Sequence, residues 1–283
     1  MKKEIIAFQG EKGAFSQQAA RQFLGENVAV LPCERFELVY MALRDGAATG
    51  AAIPIENTLH GSVHENYDHL LNFEVTIVAE TSVRIIHNLI APPGTKFRNV
   101  TKAYSHPVAL NQCLKFFSAH PNIRKETFYD TAGSVKMLME QRPAGAAAIA
   151  SSVAAETYGA AILKRSIEDD RQNFTRFFLL RPKNFRALRS ATNEKSPFKT
   201  SIVFTTRNSP GSLFRALSAL ALRDISLTKI ESRPMRGKPW EYLFYLDFLG
   251  HSSDEKVKNA LGHIREVADF LRVLGSYPAA RPA

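Results

Sequence analysis

The chain has little of what the commonest cofactor and metal chemistries need. Of its 283 residues only two are cysteines, Cys33 and Cys113, far apart and without metal-ligand spacing. That excludes a disulfide framework and a zinc module, and it fits buried thiols in a reducing cytoplasm. No apolar run approaches the ~20 residues of a membrane span. Met1-Lys2-Lys3-Glu4 leads straight into Ile5-Ile6-Ala7-Phe8, too short for a signal peptide's apolar region and without a cleavage site. A cytoplasmic protein with no membrane attachment is therefore expected. The turn Gly10-Glu11-Lys12-Gly13 lacks the Gly-x-Gly-x-x-Gly spacing and the Walker lysine, so nucleotide binding has little support. No metal cluster, carboxylate pair or nucleophile–base couple stands out, and neither metal nor cofactor is expected.

Charge narrows the partners. The formal net charge is +10, but the basic residues are scattered singly. They do not alternate with aromatics as a single-strand binder would require. No nucleic-acid partner is expected; a basic surface also attracts small polyanions.

What is present is an alternation of short strands and helices over the N-terminal two-thirds. A small hydroxyl or amide residue recurs at its strand-to-helix turns. Ser16 reads as the cap of a helix ending at Leu24, and Asn57-Thr58 follow a strand. Ser105 reads as the cap of the helix carrying Gln112 and Cys113. Thr131 precedes a helix expected over 134–141, and Ser151 opens another. Each taken alone is an ordinary cap. Converging, they would make a pocket of N–H and O–H donors suited to an anionic substrate. Ser105-His106 has no Gly-x-Ser-x-Gly elbow and, as adjacent residues, does not read as a nucleophile and base. His87, flanked by apolar residues, reads as a core histidine.

The stretch Asn173-Phe174-Thr175-Arg176-Phe177-Phe178-Leu179-Leu180 places a hydroxyl and a guanidinium where an apolar strand begins. Successive strand residues point to opposite faces, so Thr175 and Arg176 converge on one ligand only if the backbone leaves the sheet there.

Residues 184–198 are polar and bracketed by prolines, and read as a linker. Beyond them the order is βαββαβ, ferredoxin-like, with a tight turn at Asn208-Ser209-Pro210-Gly211-Ser212-Leu213. One face of that sheet would stay exposed unless covered, so pairing with a second copy is expected.

Several of these segments resemble one family in order and spacing. Ile55-Glu56-Asn57-Thr58 with Gly61, Tyr104-Ser105-His106-Pro107 with Gln112-Cys113, and Asn173 to Phe178 resemble prephenate dehydratase. Asn208 to Leu213 and Ile230-Glu231-Ser232-Arg233-Pro234 resemble its regulatory ACT domain and phenylalanine-binding motif. Glu11 and Ala14 stand where many relatives carry Pro and Thr. The segment Gly13 to Ser16 and the ACT stretch are also similar to arogenate dehydratases.

The resemblance implies an α/β chain with a two-lobed, type II periplasmic-binding-protein-like catalytic domain over 1–183. Its lobes would be 1–80 with 172–183, and 81–171. A ferredoxin-like ACT domain would follow over 199–278. It implies a monofunctional lyase of phenylalanine biosynthesis, converting prephenate to phenylpyruvate, or alternatively arogenate to phenylalanine; a non-catalytic amino-acid sensor is the reading from another class. By the same resemblance Thr175 is the catalytic donor to the departing hydroxyl. Asn57, Thr58, Ser105, Gln112, Ser151 and Arg176 bind substrate, with Arg176 anchoring a carboxylate directly or through other residues. Phenylalanine would act as allosteric effector, held by Asn208, Pro210, Gly211, Ser212, Leu213, Glu231 and Ser232. The assembly implied is a homo-oligomer through ACT domains, a dimer or a dimer of dimers and so a homotetramer.

Overall fold

The computed structural model describes residues 4–185, 197–235, 237–238 and 240–280. Most of the linker expected at 184–198, namely 186–196, lies outside the described residues. By internal packing the chain forms two units, Met1–His69 with Thr81–Phe178, and Leu70–Glu80 with Leu179–Ala283.

The first sheet starts with β1 (Ile5–Gln9), crosses by α1 (Phe15–Leu24) to β2 (Ala29–Cys33), and by α2 (Phe36–Arg44) to β3 (Gly50–Asn57). β1 is parallel to both neighbours. Its Ile6, Ala7 and Phe8 are fully buried, a run that only a strand covered on both faces tolerates. β3 folds back into β4 (Gly61–Ser62), followed by α3 (His64–Asn72) and β5 (Val75–Arg84).

The second sheet takes β6 (Asn88–Ala91), β7 (Lys102–Ser105), α4 (Pro107–Asn111), α5 (Leu114–Ala119), β8 (Arg124–Thr127), α6 (Thr131–Gln141), β9 (Ala146–Ala150), α7 (Ser152–Thr157) and β10 (Ala161–Lys164). Its order is β10-β6-β9-β7-β8. The chain then returns as β11 (Phe174–Pro182) and inserts between β3 and β5, which gives the first sheet the order β2-β1-β3-β11-β5. Both sheets thus follow one plan. The first strand (β1 or β7) lies between the second and third, and a strand from elsewhere in sequence (β11 or β6) separates the third from the last. This repeated plan is the two-lobed α/β arrangement that the family resemblance implies.

Three caps differ from the sequence reading. The residue before α1 is Ala14, and Ser16 is buried inside the first turn. α4 is capped by His106, whose Nδ1 accepts from Val108 N, while Ser105 belongs to β7. The helix expected to start at 134 starts at Thr131, capped by Asp130, whose Oδ1 accepts from Gly133 N at 2.6 Å. α1 has no side-chain cap, whereas at α4 and α6 the residue just before the helix supplies one. Gln112 and Cys113 are not inside one helix; they form the junction between α4 and α5.

The C-terminal unit contains β12 (Phe198–Thr205), α8 (Ser212–Ala221), β13 (Leu227–Pro234), β14 (Tyr242–Leu249), α9 (Glu255–Val267) and β15 (Phe270–Pro278). They form an antiparallel sheet of order β13-β14-β12-β15. Its apolar core joins Ile202, Phe204, Leu246 and Phe248 to Ala216, Leu220, Leu261 and Ile264. The opposite face, expected to be exposed unless covered, is covered within the chain over β12, β14 and β15, while β13 stays partly exposed. Val203 and Tyr277 are fully buried and Tyr245 nearly so. Segment 70–80 packs on β15: Thr76 Oγ1 donates to Leu274 O at 3.2 Å, and Arg272 donates to Leu71 O and Phe73 O at 2.9 Å each.

Candidate active site

The end of β3 is joined to the start of β11 by side chains. Thr58 N donates to Phe174 O at 2.9 Å, Thr58 Oγ1 donates to Gln172 O at 2.8 Å, and Phe174 N donates back to Thr58 Oγ1 at 3.0 Å. The hydroxyl of Thr58 is thereby committed to holding the two backbones together.

Beside this clamp, Asn57 Oδ1 accepts from Leu59 N and His60 N, both at 3.0 Å. Two backbone donors fix which end of the amide is oxygen. The Nδ2 end then lies 2.8 Å from Asn173 Oδ1, 3.1 Å from Phe174 O and 2.9 Å from Thr175 Oγ1. A threonine oxygen that accepts from an amide N–H keeps its own proton to donate elsewhere. Asn173 is fully buried, and its Nδ2 has no hydrogen-bond partner.

Arg176 is arranged differently. Its Nη1 lies 3.9 Å from Glu56 Oε2, and its guanidinium covers the Phe178 ring at 4.8 Å. Thr175 thus pairs with Asn57 and Arg176 with Glu56. Neighbouring residues of two adjacent strands pair on opposite faces, as strand alternation requires.

From the other lobe comes Gln112, buried at the α4–α5 junction. Its Nε2 lies 3.2 Å from His60 Nδ1 and its Oε1 2.7 Å from His87 Nε2. A chain of polar contacts therefore runs from Thr175 through Asn57, His60 and Gln112 to His87. Burial holds the His87 ring below the usual histidine range, partly opposed by its bond to Gln112 and by the Glu168 charge.

Ser105 and Ser151 lie outside that chain. Ser105 is fully buried, with Oγ donating to Ile149 O at 2.6 Å. With His106 committed to its cap, the pair is no nucleophile and base. Cys113 is buried too, and its thiol is pushed up by that burial. Ser151 caps α7 through Ala154 N at 3.0 Å and donates to Gly13 O at 2.7 Å. Gly13, at φ +90°, lies so close that a Cβ there would be 2.5 Å from Ala154 Cα. Glu11 joins the same turn to α6, with Lys136 Nζ 3.2 Å from both carboxylate oxygens and Tyr129 OH at 3.1 Å. Burial, then the Glu11 charge, pushes Tyr129 up to about 12. A cavity of about 480 Å³ beside this turn is lined by Gly10, Glu11, Cys33, Glu34 and Tyr129, and does not include Thr175 or Gln112.

Around Thr175 the groups are thus amides, imidazoles and a hydroxyl. Among the described residues no group of three or more His, Cys, Asp or Glu could hold a metal. His60, His87 and Asn173 belong to the constellation without having been assigned a site role from sequence. His60 lies between Thr58 and Gly61 of the first motif and Asn173 opens the third, while His87 is buried as a core histidine is expected to be.

In the C-terminal unit, Asn208, Gly211, Ser212 and Leu213 line a cavity of about 220 Å³ with Phe214, Trp240 and Tyr242. Pro210 contributes its carbonyl to Arg215 Nη1 at 3.3 Å. Glu231 and Ser232 are on β13 and do not line that cavity; Glu231 pairs with Lys229 at 3.7 Å.

A prephenate dehydratase family model matches residues 6–184, and an ACT domain model matches 200–264. Arogenate dehydratase/prephenate dehydratase 2, chloroplastic, of Arabidopsis thaliana is 42% identical over 282 residues, spanning 96% of this chain and 72% of that protein. The solved prephenate dehydratase of Arthrobacter aurescens in complex with L-Phe is 31% identical, with TM-score 0.87, covering 99% of this chain and 92% of that one. A structure described as GqqA, a novel type of quorum quenching acylase, is 32% identical with TM-score 0.88, covering 99% of each chain.

Proposed function

As the chain belongs to the prephenate dehydratase family and carries its ACT domain, we propose that it catalyses the decarboxylating dehydration of prephenate to phenylpyruvate, with arogenate as the alternative substrate. The observation that carries this reading is the Asn57–Thr175 contact, in which a fixed amide supplies the hydrogen bond and leaves the hydroxyl proton to be given.

In the reaction the bond from the ring carbon to its carboxylate breaks and releases CO2. The electron pair enters the ring, the opposite C–O bond breaks, and hydroxide leaves with one proton as water. Aromatisation drives the step; the poor leaving group is what needs help. Thr175 donates a hydrogen bond to the departing oxygen, where charge develops, and the proton that completes the water comes in the end from solvent, so no alkoxide is left on the threonine. Gln112 offers its Nε2–H groups from the other lobe. Ser105 and Ser151 act through the backbone they hold, Thr58 through the β3–β11 clamp. Arg176, on the other strand face beside Glu56, anchors the substrate through that strand rather than by direct contact.

For control, phenylalanine is the proposed effector. Its carboxylate would meet the turn Asn208 to Leu213 at the start of α8, and the Glu231 and Ser232 side of β13 would come from a second copy. Support comes from the cavity at that turn and from the Arthrobacter protein's complex with L-Phe. β13 is an edge strand, and Phe214, Leu222, Leu227 and Ile230 nearby are exposed. This exposed edge, rather than the covered sheet face, is where two copies would pair as a dimer, and two such dimers would make the homotetramer.

The domain division proposed is 1–183, 184–198 and 199–278, which the matches at 6–184 and 200–264 support. A cytoplasmic location rests on the two free cysteines. No described helix is long and apolar enough to cross a membrane. The test is turnover of prephenate and of arogenate in parallel, with and without phenylalanine. Phenylpyruvate or phenylalanine as product separates the two substrates, and no turnover of either favours a sensor.

A further inference from the structure

His87 lies in the short break between β5 and β6, with 1% of its surface exposed. Its main chain is fixed at both ends: His87 N donates to Glu168 Oε2 at 3.0 Å, and His87 O accepts from Ile167 N at 2.9 Å. The ring stands edge-on to Phe15 with centroids 5.8 Å apart. Nothing about a purely packed histidine requires Nε2 to lie 2.7 Å from Gln112 Oε1, yet it does. Its Nδ1 is buried and has no hydrogen-bond partner.

Those two facts set the tautomer. If the ring proton were on Nδ1, a buried N–H would be left unsatisfied, and Nε2 would face an oxygen with no hydrogen between them. With the proton on Nε2, the ring donates to Gln112 Oε1, and only a lone pair is left without a partner. Burial also favours the neutral ring, partly opposed by the bond to Gln112 and the Glu168 charge. Gln112 is then fixed with its oxygen inward and its two Nε2–H groups outward. One reaches His60 Nδ1 at 3.2 Å, which puts the His60 ring proton on Nε2, on the side away from Gln112. The other is free to meet a ligand.

We propose that His87 is a positioning residue that locks the Gln112 amide with its donor end toward the site and, through it, fixes the tautomer of His60. An unheld glutamine amide has two nearly isosteric orientations, one of which would present oxygen to an anionic substrate. The proposal rests on the reading of Gln112 as a substrate donor.

The test combines kinetics with the amide signal of Gln112. His87→Leu removes the donor, while His87→Gln carries an N–H at about the reach of Nε2. His87→Leu is expected to lower kcat/KM about 10- to 100-fold, the loss of one oriented hydrogen bond. His87→Gln is expected to recover activity to within about threefold of the parent. In a Gln112→Met background, His87→Leu should add less than about a twofold further loss, because both changes remove the same group. In ¹⁵N-labelled protein, the Gln112 side-chain amide should give one sharp pair of resonances in the parent and in His87→Gln, and a broadened or doubled pair in His87→Leu. The proposal is overturned if His87→Gln is as impaired as His87→Leu, or if the Gln112 amide signal is the same in all three. If Gln112→Met loses activity and His87→Leu does not, only the positioning role falls. If Gln112→Met keeps full turnover, the substrate role of Gln112 falls first and the proposal with it.

Discussion

Asn57 Nδ2 donates to Thr175 Oγ1 across 2.9 Å while Asn57 Oδ1 is held by the backbone N–H groups of Leu59 and His60. The direction of that bond decides whether the threonine proton is available to a leaving group.

Asn57→Asp is close to isosteric but reverses the direction. A carboxylate can still accept from Leu59 N and His60 N, yet it must also accept from Thr175, whose proton is then occupied. kcat is expected to fall about 100-fold or more, with a smaller change in KM. Steady-state kinetics on prephenate checks this, and an unchanged kcat would count against the assigned direction.

Gly13→Ala tests the turn that joins the lobes. The added Cβ would meet Ala154 Cα at 2.5 Å, and φ is +90°. Both effects destabilise, together by about 2 to 4 kcal/mol. Thermal unfolding should show a clear drop in Tm, whereas Gly25→Ala, with open space around it, should lose only the left-handed backbone preference.

Acid stability carries a signature of His87. Its folded pKa lies below the ordinary value of 6.5, chiefly through burial. The unfolded chain therefore binds a proton that the folded one refuses. Stability from this group is full above the unfolded pKa and is lost as pH falls below it, by up to about 1.4 kcal/mol per pH unit. The difference in Tm between the parent and His87→Gln should shrink or change sign between pH 7 and pH 5, in favour of the variant. Parallel curves would contradict a neutral buried ring.

For regulation, Glu231→Ala is expected to abolish phenylalanine inhibition with uninhibited turnover retained, and Ile230→Asp to shift the protein toward monomer in light scattering. Retained inhibition in Glu231→Ala would remove Glu231 from the effector site.

Much of this was legible in the residues. Strand alternation left Thr175 and Arg176 able to converge only if the backbone left the sheet there; β11 already starts at Phe174, and their separate pairing with Asn57 and Glu56 follows from that. The βαββαβ order of the C-terminal unit followed from hydrophobic pattern. Caps were harder. The choice between Ser105 and His106 depends on where β7 stops, which its pairing with β8 and β9 fixes. The link from His60 to Gln112 to His87 joins residues far apart in the chain through side chains alone, and no local pattern records it. The covering of the C-terminal sheet by segment 70–80 was hidden for the same reason.

The role of the Thr175 hydroxyl is tested most directly by kcat on prephenate, without phenylalanine, for Thr175→Ser and Thr175→Val. Serine keeps the O–H and should retain activity to within about tenfold, while valine keeps the shape without the proton and should lose about 1,000-fold or more. Equal kcat values for the two variants would contradict the donor role.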